Sequence, residues 1–461
     1  MNTVVATLPP AVLSRFDVGG PRYTSYPTAD RFGEAFGEAE YRAALRQRAA
    51  DPRTPLGVYV HVPFCQSVCY YCACTKVVTR DRSRADAYLD ALEVEIALHA
   101  GVLGDGAAVS TLHLGGGTPT YLDDAQLTRL MRSLQRAFHL VPGGERAIEI
   151  DPRTVDAQRL EHLASLGFDR LSFGVQDFDP LVQQAVHRVQ PFDTVAALMA
   201  DARRIGFQSI NVDLIYGLPK QTRESFARTL HQVRALKPDR IALYAYAHLP
   251  ERFKPQRRIA AVDLPPPGDR VPMLGAAIDA FLAAGYDCIG MDHFALADDA
   301  LAVAKRQGRL HRNFQGYSTQ LDGDLIGLGV SAIGQIGATY AQNEKTLPEY
   351  AAALREGRFA TARGLALQAD DVLRRRVILA IMCQGRVDFA AVQTQHRVDL
   401  RACFAREWAE LQPLAEQGLV VLRDDGFDVT PAGWYVVRAV AMLFDRHLRD
   451  GASRARFSRI V

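Results

Sequence analysis

Between residues 57 and 250 the chain alternates short β-branched runs with amphipathic stretches, and no other feature restricts its fold so strongly. The runs are "LGVYVHV" ending at Val62, "VSTLHLG" at Gly115, "RAIEID" at Asp151, "DRLSFGV" at Val175, "SINVDLI" at Ile215 and "DRIALYAY" at Tyr246. Between them, Ala85 to His99, Asp124 to Phe138 and Arg223 to Leu236 carry apolar residues at helical spacing. Strands that recur with helical crossovers predict a parallel α/β sheet, doubly wound or curled into a barrel. Cys65, Gly115 to Thr118, Glu149, Gln176, Asp213 and His248 fall at or just past the C-terminal ends of successive strands. Barrel enzymes build their active sites on that face.

The stretch from His61 to Cys74, "HVPFCQSVCYYCAC", holds four of the seven cysteines, spaced C-x3-C-x2-C-x-C. So dense a group reads as a metal site. Structural zinc takes four ligands, usually from two separated pairs. An iron–sulfur cube is larger and is held by thiolates a few residues apart. If only the C-x3-C-x2-C part binds, one iron is left open, as a catalytic site requires. The "GGGTPT" that follows the second strand adds backbone N–H groups able to approach a ligand closely. Cys288, Cys383 and Cys403 lie in apolar surroundings and are expected to be buried small hydrophobes.

Lys plus Arg number 54 against 52 for Asp plus Glu, so no basic field points to nucleic acid or a membrane surface. The longest apolar runs, such as Val377 to Cys383, fall well short of the ~18 residues of a membrane span. "MNTVVATLPPAVLSRFDVGG" lacks a cationic start followed by an apolar stretch, so no signal peptide is expected. One clustered thiol site in an otherwise unpaired set of cysteines suits a reducing, cytoplasmic compartment.

C-x3-C-x2-C after a first strand, with Tyr71 before the third cysteine, resembles the radical S-adenosylmethionine superfamily. The resemblance implies a partial (β/α)6 TIM-like barrel and a [4Fe–4S] cluster on Cys65, Cys69 and Cys72. Its open iron takes the methionine moiety of S-adenosylmethionine, and a 5′-deoxyadenosyl radical follows. "GPRYTSYPTA", "YVHVPFC", "CYYCAC", "GGGTPTYL", "DLIYGLPKQT", "YAHLP", "GMDHFA" and "HRNFQGY" together resemble the oxygen-independent coproporphyrinogen III oxidase (dehydrogenase) family along essentially the whole chain. That family oxidatively decarboxylates two propionates of coproporphyrinogen III to vinyl groups, giving protoporphyrinogen IX in haem biosynthesis.

The resemblance further implies two S-adenosylmethionine molecules. Tyr59, Gly116, Glu149 and Ile333 match the shell of the cluster-bound molecule, with Tyr59 and Glu149 expected as catalytic residues. Tyr71, Gly117, Thr118, Gln176, Arg188, Asp213 and Ala247 match the shell of the second. An anionic substrate needs cations, and Arg22 in the N-terminal arm is the expected propionate partner. The substrate is coproporphyrinogen III, an electron donor and an electron acceptor are required, and a monomer is expected. Cys74, His293, Asn313 and Tyr317 receive no role.

Residues 1–50 read as an arm and lead-in helix, 51–365 as the barrel with its extension, and 366–461 as a smaller, mainly helical, winged-helix-like domain. The proline-rich "LPPPGDRVP" at 264–272 reads as a boundary or long connection. Two siblings of the superfamily are the rival readings, a haem-binding chaperone and a radical methyltransferase. "PRYTSYPTA" and Cys74 favour the oxidase over the first, and the arm argues against the second.

Overall fold

A computed structural model describes residues 14–16, 18–52, 54–104, 106–319, 323–396, 398–448 and 457–460. Most of the stretch examined for a signal peptide lies outside them. The chain divides into two compact units, Phe32–Pro265 with Asp322–Ala366, and Met1–Arg31 with Pro266–Leu321 and Leu367–Val461. The break at Pro265–Pro266 falls in the proline-rich stretch.

The first of these units is built on a sheet whose strands are β1 (Leu56–Val62), β2 (Ala107–Gly116), β3 (Phe138–Ile150), β4 (Arg170–Gln176), β5 (Ser209–Tyr216), β6 (Arg240–Ala245), β7 (Leu325–Leu328), β8 (Ile333–Ile336), β9 (Thr339–Asn343) and β10 (Thr361–Ala366). Their order is β10-β9-β8-β7-β1-β2-β3-β4-β5-β6. From β7 through β6 neighbours run parallel, whereas β7 to β10 form an antiparallel extension. The arrangement is an open, partial barrel. Each of the six runs expected from sequence is a strand, and helices occupy Ser83–Leu103, Asp124–Ala137 and Arg223–Leu236 between them.

Alternation explains why these strands can carry chemistry. Successive side chains point to opposite faces, and Val58, Val60, Leu112, Leu114, Ile148, Phe173, Val212 and Leu214 are fully buried on one of them. The intervening positions are polar: Tyr59, His61, His113, Glu149, Ser172, Asn211 and Asp213. Parallel register sets Tyr59 beside His113, Glu149 beside Ser172, and Ser172 beside Asn211. The helices start where their sequences direct. Asp123 and Gln126 form a capping box on Asp124–Ala137, and Thr222 caps Arg223–Leu236 through the Ser225 N–H.

A buried polar knot ties this sheet to the helix Ser83–Leu103. The Glu95 carboxylate accepts from the Gly329 N–H at 2.7 Å, Asn343 Nδ2 at 2.6 Å and Tyr350 Oη at 2.7 Å. Tyr88 Oη donates to the His61 carbonyl at 2.6 Å and accepts from the Val330 N–H at 3.1 Å. Burial pushes the Glu95 carboxyl up to about 7. The folded chain then holds that proton at a higher pH than the unfolded chain does. Its stabilising contribution is therefore complete below the ordinary carboxyl range and lost as pH rises through 7, a change of about 3 kcal/mol. Glu95→Gln is expected to flatten the fall in stability between pH 5 and 8, measured by thermal unfolding. An unchanged slope would assign the fall to other groups.

The second unit buries a core of Ile378, Ile381, Met382, Phe427, Val436 and Val440 together with Tyr23 and Tyr26 from the N-terminal segment. Helix Ala369–Gln384 precedes a three-stranded sheet of Arg386–Asp388, Gly426–Val429 and Val420–Arg423, with Ala405–Glu416 ahead of its hairpin. Arg438 is buried and donates to the carbonyls of Gly20, Pro21, Ser458 and Arg459. Cys383 is buried as expected, but Cys288 is only partly so, and Cys403 is exposed at the end of the short helix Leu400–Cys403. An apolar sequence neighbourhood therefore misplaced Cys403, because a one-turn helix presents only part of its circumference to the core.

Candidate active site

The cysteine loop starts where β1 ends. Phe64–Cys65 pairs in parallel with Val77–Val78, so the residues between them return on themselves as a closed loop. Within it the Cys72 N–H donates to the Cys69 carbonyl at 3.2 Å, and Lys76 Nζ donates to the carbonyls of Cys72 and Cys74 at 3.2 and 3.3 Å. Cys69 is buried, Cys65 and Cys72 are half-buried, and Cys74 is exposed.

Cationic and hydroxyl donors converge on the sulfur atoms. Arg153 Nη2 and Arg188 Nη1 reach Cys69 Sγ at 3.6 and 3.5 Å, and Thr118 Oγ1 reaches Cys65 Sγ at 3.5 Å. Burial pushes the Cys65 thiol up to about 11, while a hydrogen bond with Cys74 pulls the Cys72 thiol down. Among the described residues no three His, Cys, Asp or Glu side chains are placed to hold a single metal ion. A four-iron cube presents separate irons to separate thiolates. Three thiols on one loop, with guanidinium and hydroxyl donors aimed at their sulfurs, fit such a cluster, since hydrogen bonds to sulfur are a recognised means of tuning it.

The glycines bring backbone against this loop. Gly116 has φ +118°, and a Cβ there would lie 2.6 Å from the His61 ring. A Cβ on Gly117 would lie 2.6 Å from the Pro63 carbonyl oxygen. The Gly117 N–H donates to the Val62 carbonyl at 2.8 Å, whereas the Gly116 N–H donates to Glu149 Oε2 at 3.1 Å. Glu149 also meets His113 Nε2 at 3.3 Å, and His113 stacks on Tyr59 with centroids 5.9 Å apart. Tyr59 Oη and His61 Nδ1 are 3.1 Å apart, and His61 Nε2 lies 3.0 Å from the Thr75 carbonyl at the far end of the cysteine loop. A chain of contacts thus joins Glu149, the glycine turn, Tyr59 and the loop.

The remaining positions group farther along the sheet. Arg188 is buried and donates to the Gly174 carbonyl at 2.7 Å and to Asp151 Oδ2 at 3.1 Å. Gln176 ends β4 in the left-handed region at φ +68°. Asp213 accepts from Ser172 Oγ at 3.1 Å and Asn211 Nδ2 at 2.8 Å, and burial, with the Glu149 charge second, pushes its carboxyl up to about 6. Glu149 and Asp213 lie inside their strands rather than beyond them, so they line the polar face rather than the loops. The Tyr71 carbonyl accepts from Gln256 Nε2 at 2.9 Å. Ile333 opens β8, and Ala247 follows β6.

Arg22 belongs to the other unit, where its Nη2 donates to both Asp292 carboxylate oxygens at 2.6 and 2.9 Å. Asp292 also meets His293 Nδ1 at 2.9 Å, and Tyr317 Oη donates to the Met382 carbonyl at 2.9 Å. Sequence reasoning missed Asp151, Arg153, His113 and Lys76 around the loop. Asp151 and His113 ended or lay in expected strands, and the period-2 pattern alone would have put His113 on the face of Tyr59.

A thiol loop at the head of an open parallel barrel, with glycine and carboxylate positions beside it, defines a radical S-adenosylmethionine enzyme. The sequence model of the Radical SAM superfamily matches residues 59–233, and that of the HemN C-terminal domain matches residues 367–436. The chain is 49% identical over 451 residues, 98% of each chain, to the oxygen-independent coproporphyrinogen III oxidase of Escherichia coli strain K12. The protein of that name from Pseudomonas aeruginosa is 48% identical over 452 residues, again 98% of each. A solved structure described as coproporphyrinogen III oxidase (HemN) from Escherichia coli, a radical SAM enzyme, superposes with a TM-score of 0.90 at 48% identity, covering 94% of this chain and 100% of that one. The chain belongs to the oxygen-independent coproporphyrinogen III oxidase family.

Proposed function

We propose that the chain performs the anaerobic oxidative decarboxylation of two propionates of coproporphyrinogen III to vinyl groups, yielding protoporphyrinogen IX for haem biosynthesis. Family membership across nearly its full length, with the three-thiol loop in place, is the observation that carries this reading. A [4Fe–4S] cluster with bound S-adenosylmethionine supplies a 5′-deoxyadenosyl radical able to take a hydrogen atom from an unactivated propionate carbon.

The chain's own groups have the following parts in this proposal. Cys65, Cys69 and Cys72 hold three irons, with Arg153, Arg188 and Thr118 moderating the charge on sulfur. Tyr59, Gly116, Glu149 and Ile333 bind the S-adenosylmethionine at the open iron. Glu149, an acceptor fixed by the Gly116 N–H, suits an amino group or ribose hydroxyls. Tyr71, Gly117, Thr118, Gln176, Arg188, Asp213 and Ala247 hold a second molecule. Arg188 suits its carboxylate and Asp213 a hydroxyl donor.

The polypeptide is read as arm and lead-in helix (1–50), barrel and extension (51–365) and C-terminal domain (366–461). No described helix is long and apolar enough to cross a membrane. A cytoplasmic monomer that draws on an external electron donor and acceptor, without nucleic acid or membrane partners, completes the proposal.

Arg22 is the proposed propionate ligand. Its Nη2 donates to both carboxylate oxygens of Asp292, which fixes the guanidinium in place. Arg22→Ala is expected to raise KM for coproporphyrinogen III about tenfold, the scale of one lost charge-assisted contact. KM for S-adenosylmethionine should stay unchanged. Unaltered substrate affinity and turnover would remove Arg22 from the account.

The reading is tested under anaerobic conditions. Reconstituted enzyme with S-adenosylmethionine, a low-potential reductant, an electron acceptor and coproporphyrinogen III is expected to release two CO2 per substrate and form two vinyl groups. Haem binding without CO2 release would favour the chaperone instead.

A further inference from the structure

We propose that the cleft beside Cys65 is the docking site of an acidic one-electron carrier protein that reduces the cluster. A cavity of ≈ 390 Å³ opens there, its lining including Cys65, Thr118, Asp151, Arg80, Arg82 and Arg153. Its single carboxylate is already committed. Asp151 is gripped by Arg153 at 2.7 and 2.9 Å and by Arg188 at 3.1 Å. Arg82 is fixed, donating to the Tyr121 carbonyl at 2.7 Å with its guanidinium 5.2 Å from the Tyr121 ring centre. Arg80 is exposed, and no described carboxylate pairs with it. The lining of the cleft therefore sets three arginines against one aspartate, on a chain whose total charge is only +2.

Three properties of this cleft select the occupant. A proposed cluster ligand forms part of its wall, so a carrier seated there is close to the site to be reduced. The charge complements an acidic surface, and electrostatic steering of that kind raises encounter rates between partners that must also part quickly. Transient redox complexes rely on small interfaces, which a shallow cleft with charged rims provides. One electron would leave the reduced carrier and one would enter the cluster that Cys65 would help to hold, so the carrier is oxidised and the cluster reduced by one electron each.

The inference rests on the cluster assignment but not on the identity of the substrate, so its test reads cluster reduction rather than turnover. Flavodoxin, an acidic one-electron flavoprotein, serves as the probe. Reduced anaerobically, it is mixed with the reconstituted enzyme, and bleaching of the cluster absorbance is followed by stopped flow. Binding is measured separately by calorimetry with oxidised flavodoxin. Arg80→Glu is expected to slow flavodoxin-driven bleaching about tenfold and to weaken binding by a similar factor. Bleaching by dithionite should not change. Raising the ionic strength should slow the wild-type reaction towards the variant's rate.

Arg132→Glu is the control. It makes the same charge change in a second cleft, lined by Glu93, Asp124, Arg129, Arg136 and His162 and containing no cysteine, and should have no effect. Equal effects of Arg80→Glu and Arg132→Glu would overturn the proposal, as would salt-independent reduction or no binding of flavodoxin to the wild type.

Discussion

Replacing Cys65, Cys69 or Cys72 with serine is expected to remove the cluster and abolish radical formation, whereas Cys74→Ser keeps both. The expectation follows from the loop rather than from the count of thiols. Arg153 and Arg188 aim at Cys69 and Thr118 at Cys65, whereas Cys74 is exposed and related to the others through its hydrogen bond to Cys72. Iron and sulfide analysis after anaerobic reconstitution, with the visible absorbance of the cluster, separates the four variants. The first three should retain almost no iron, and their cleavage of S-adenosylmethionine should fall below detection, a loss of at least about a thousandfold on the scale of removing a whole catalytic group. Cys74→Ser should hold a full complement of iron. Loss of iron in Cys74→Ser would mean a closed, four-thiolate site and no open iron for S-adenosylmethionine.

The second large effect requires only one carbon atom. Gly117→Ala places a Cβ 2.6 Å from the Pro63 oxygen, 2.7 Å from the Pro63 carbonyl carbon and 2.9 Å from the Phe64 oxygen. These are backbone atoms of the segment that delivers Cys65, so the clash cannot be relieved by a rotamer change. The strand end must shift, and the hydrogen bond from the Gly117 N–H to the Val62 carbonyl shifts with it. Overpacking of this kind costs about 1–3 kcal/mol. The larger consequence is positional, since Cys65 and the S-adenosylmethionine contacts move together, and activity should fall at least about a hundredfold.

Gly101→Ala is the matched control. Gly101 lies in the helix Ser83–Leu103 with nothing within 4 Å of an added Cβ, so the change should stabilise by about 0.5–1 kcal/mol and leave activity intact. If Gly117→Ala behaved like Gly101→Ala, the close approach of the glycine turn to the cysteine loop would carry no functional weight.

Much of this was readable from residues because the fold and the site use the same period. "LGVYVHV" places Val58, Val60 and Val62 on one face and Tyr59 and His61 on the other, so recognising a strand also told which residues could meet a ligand. The helices were equally plain from the apolar residues at helical spacing over Asp124 to Phe138 and Arg223 to Leu236. Parallel pairing of β7 with β1 was not readable, because "LIGL" is a four-residue run with nothing in the sequence to say which strand it joins.

Contacts made by long side chains across the fold were also hidden. Arg153 and Arg188 reach Cys69 from positions 84 and 119 residues away, and nothing local announces such a pair. The same holds for Arg22 and Asp292, which are 270 residues apart. Cys403 shows the converse limit, where apolar neighbours in sequence did not mean burial in space.

The central claim is that a radical generated at the cysteine loop removes hydrogen from the propionate carbons of coproporphyrinogen III. The most direct measurement uses substrate deuterated at the propionate β-carbons, turned over anaerobically with S-adenosylmethionine and a reductant, with the 5′-deoxyadenosine analysed by mass spectrometry. The account predicts 5′-deoxyadenosine that carries deuterium from the substrate, formed together with CO2 and vinyl product. Vinyl product accompanied by 5′-deoxyadenosine free of deuterium would contradict it.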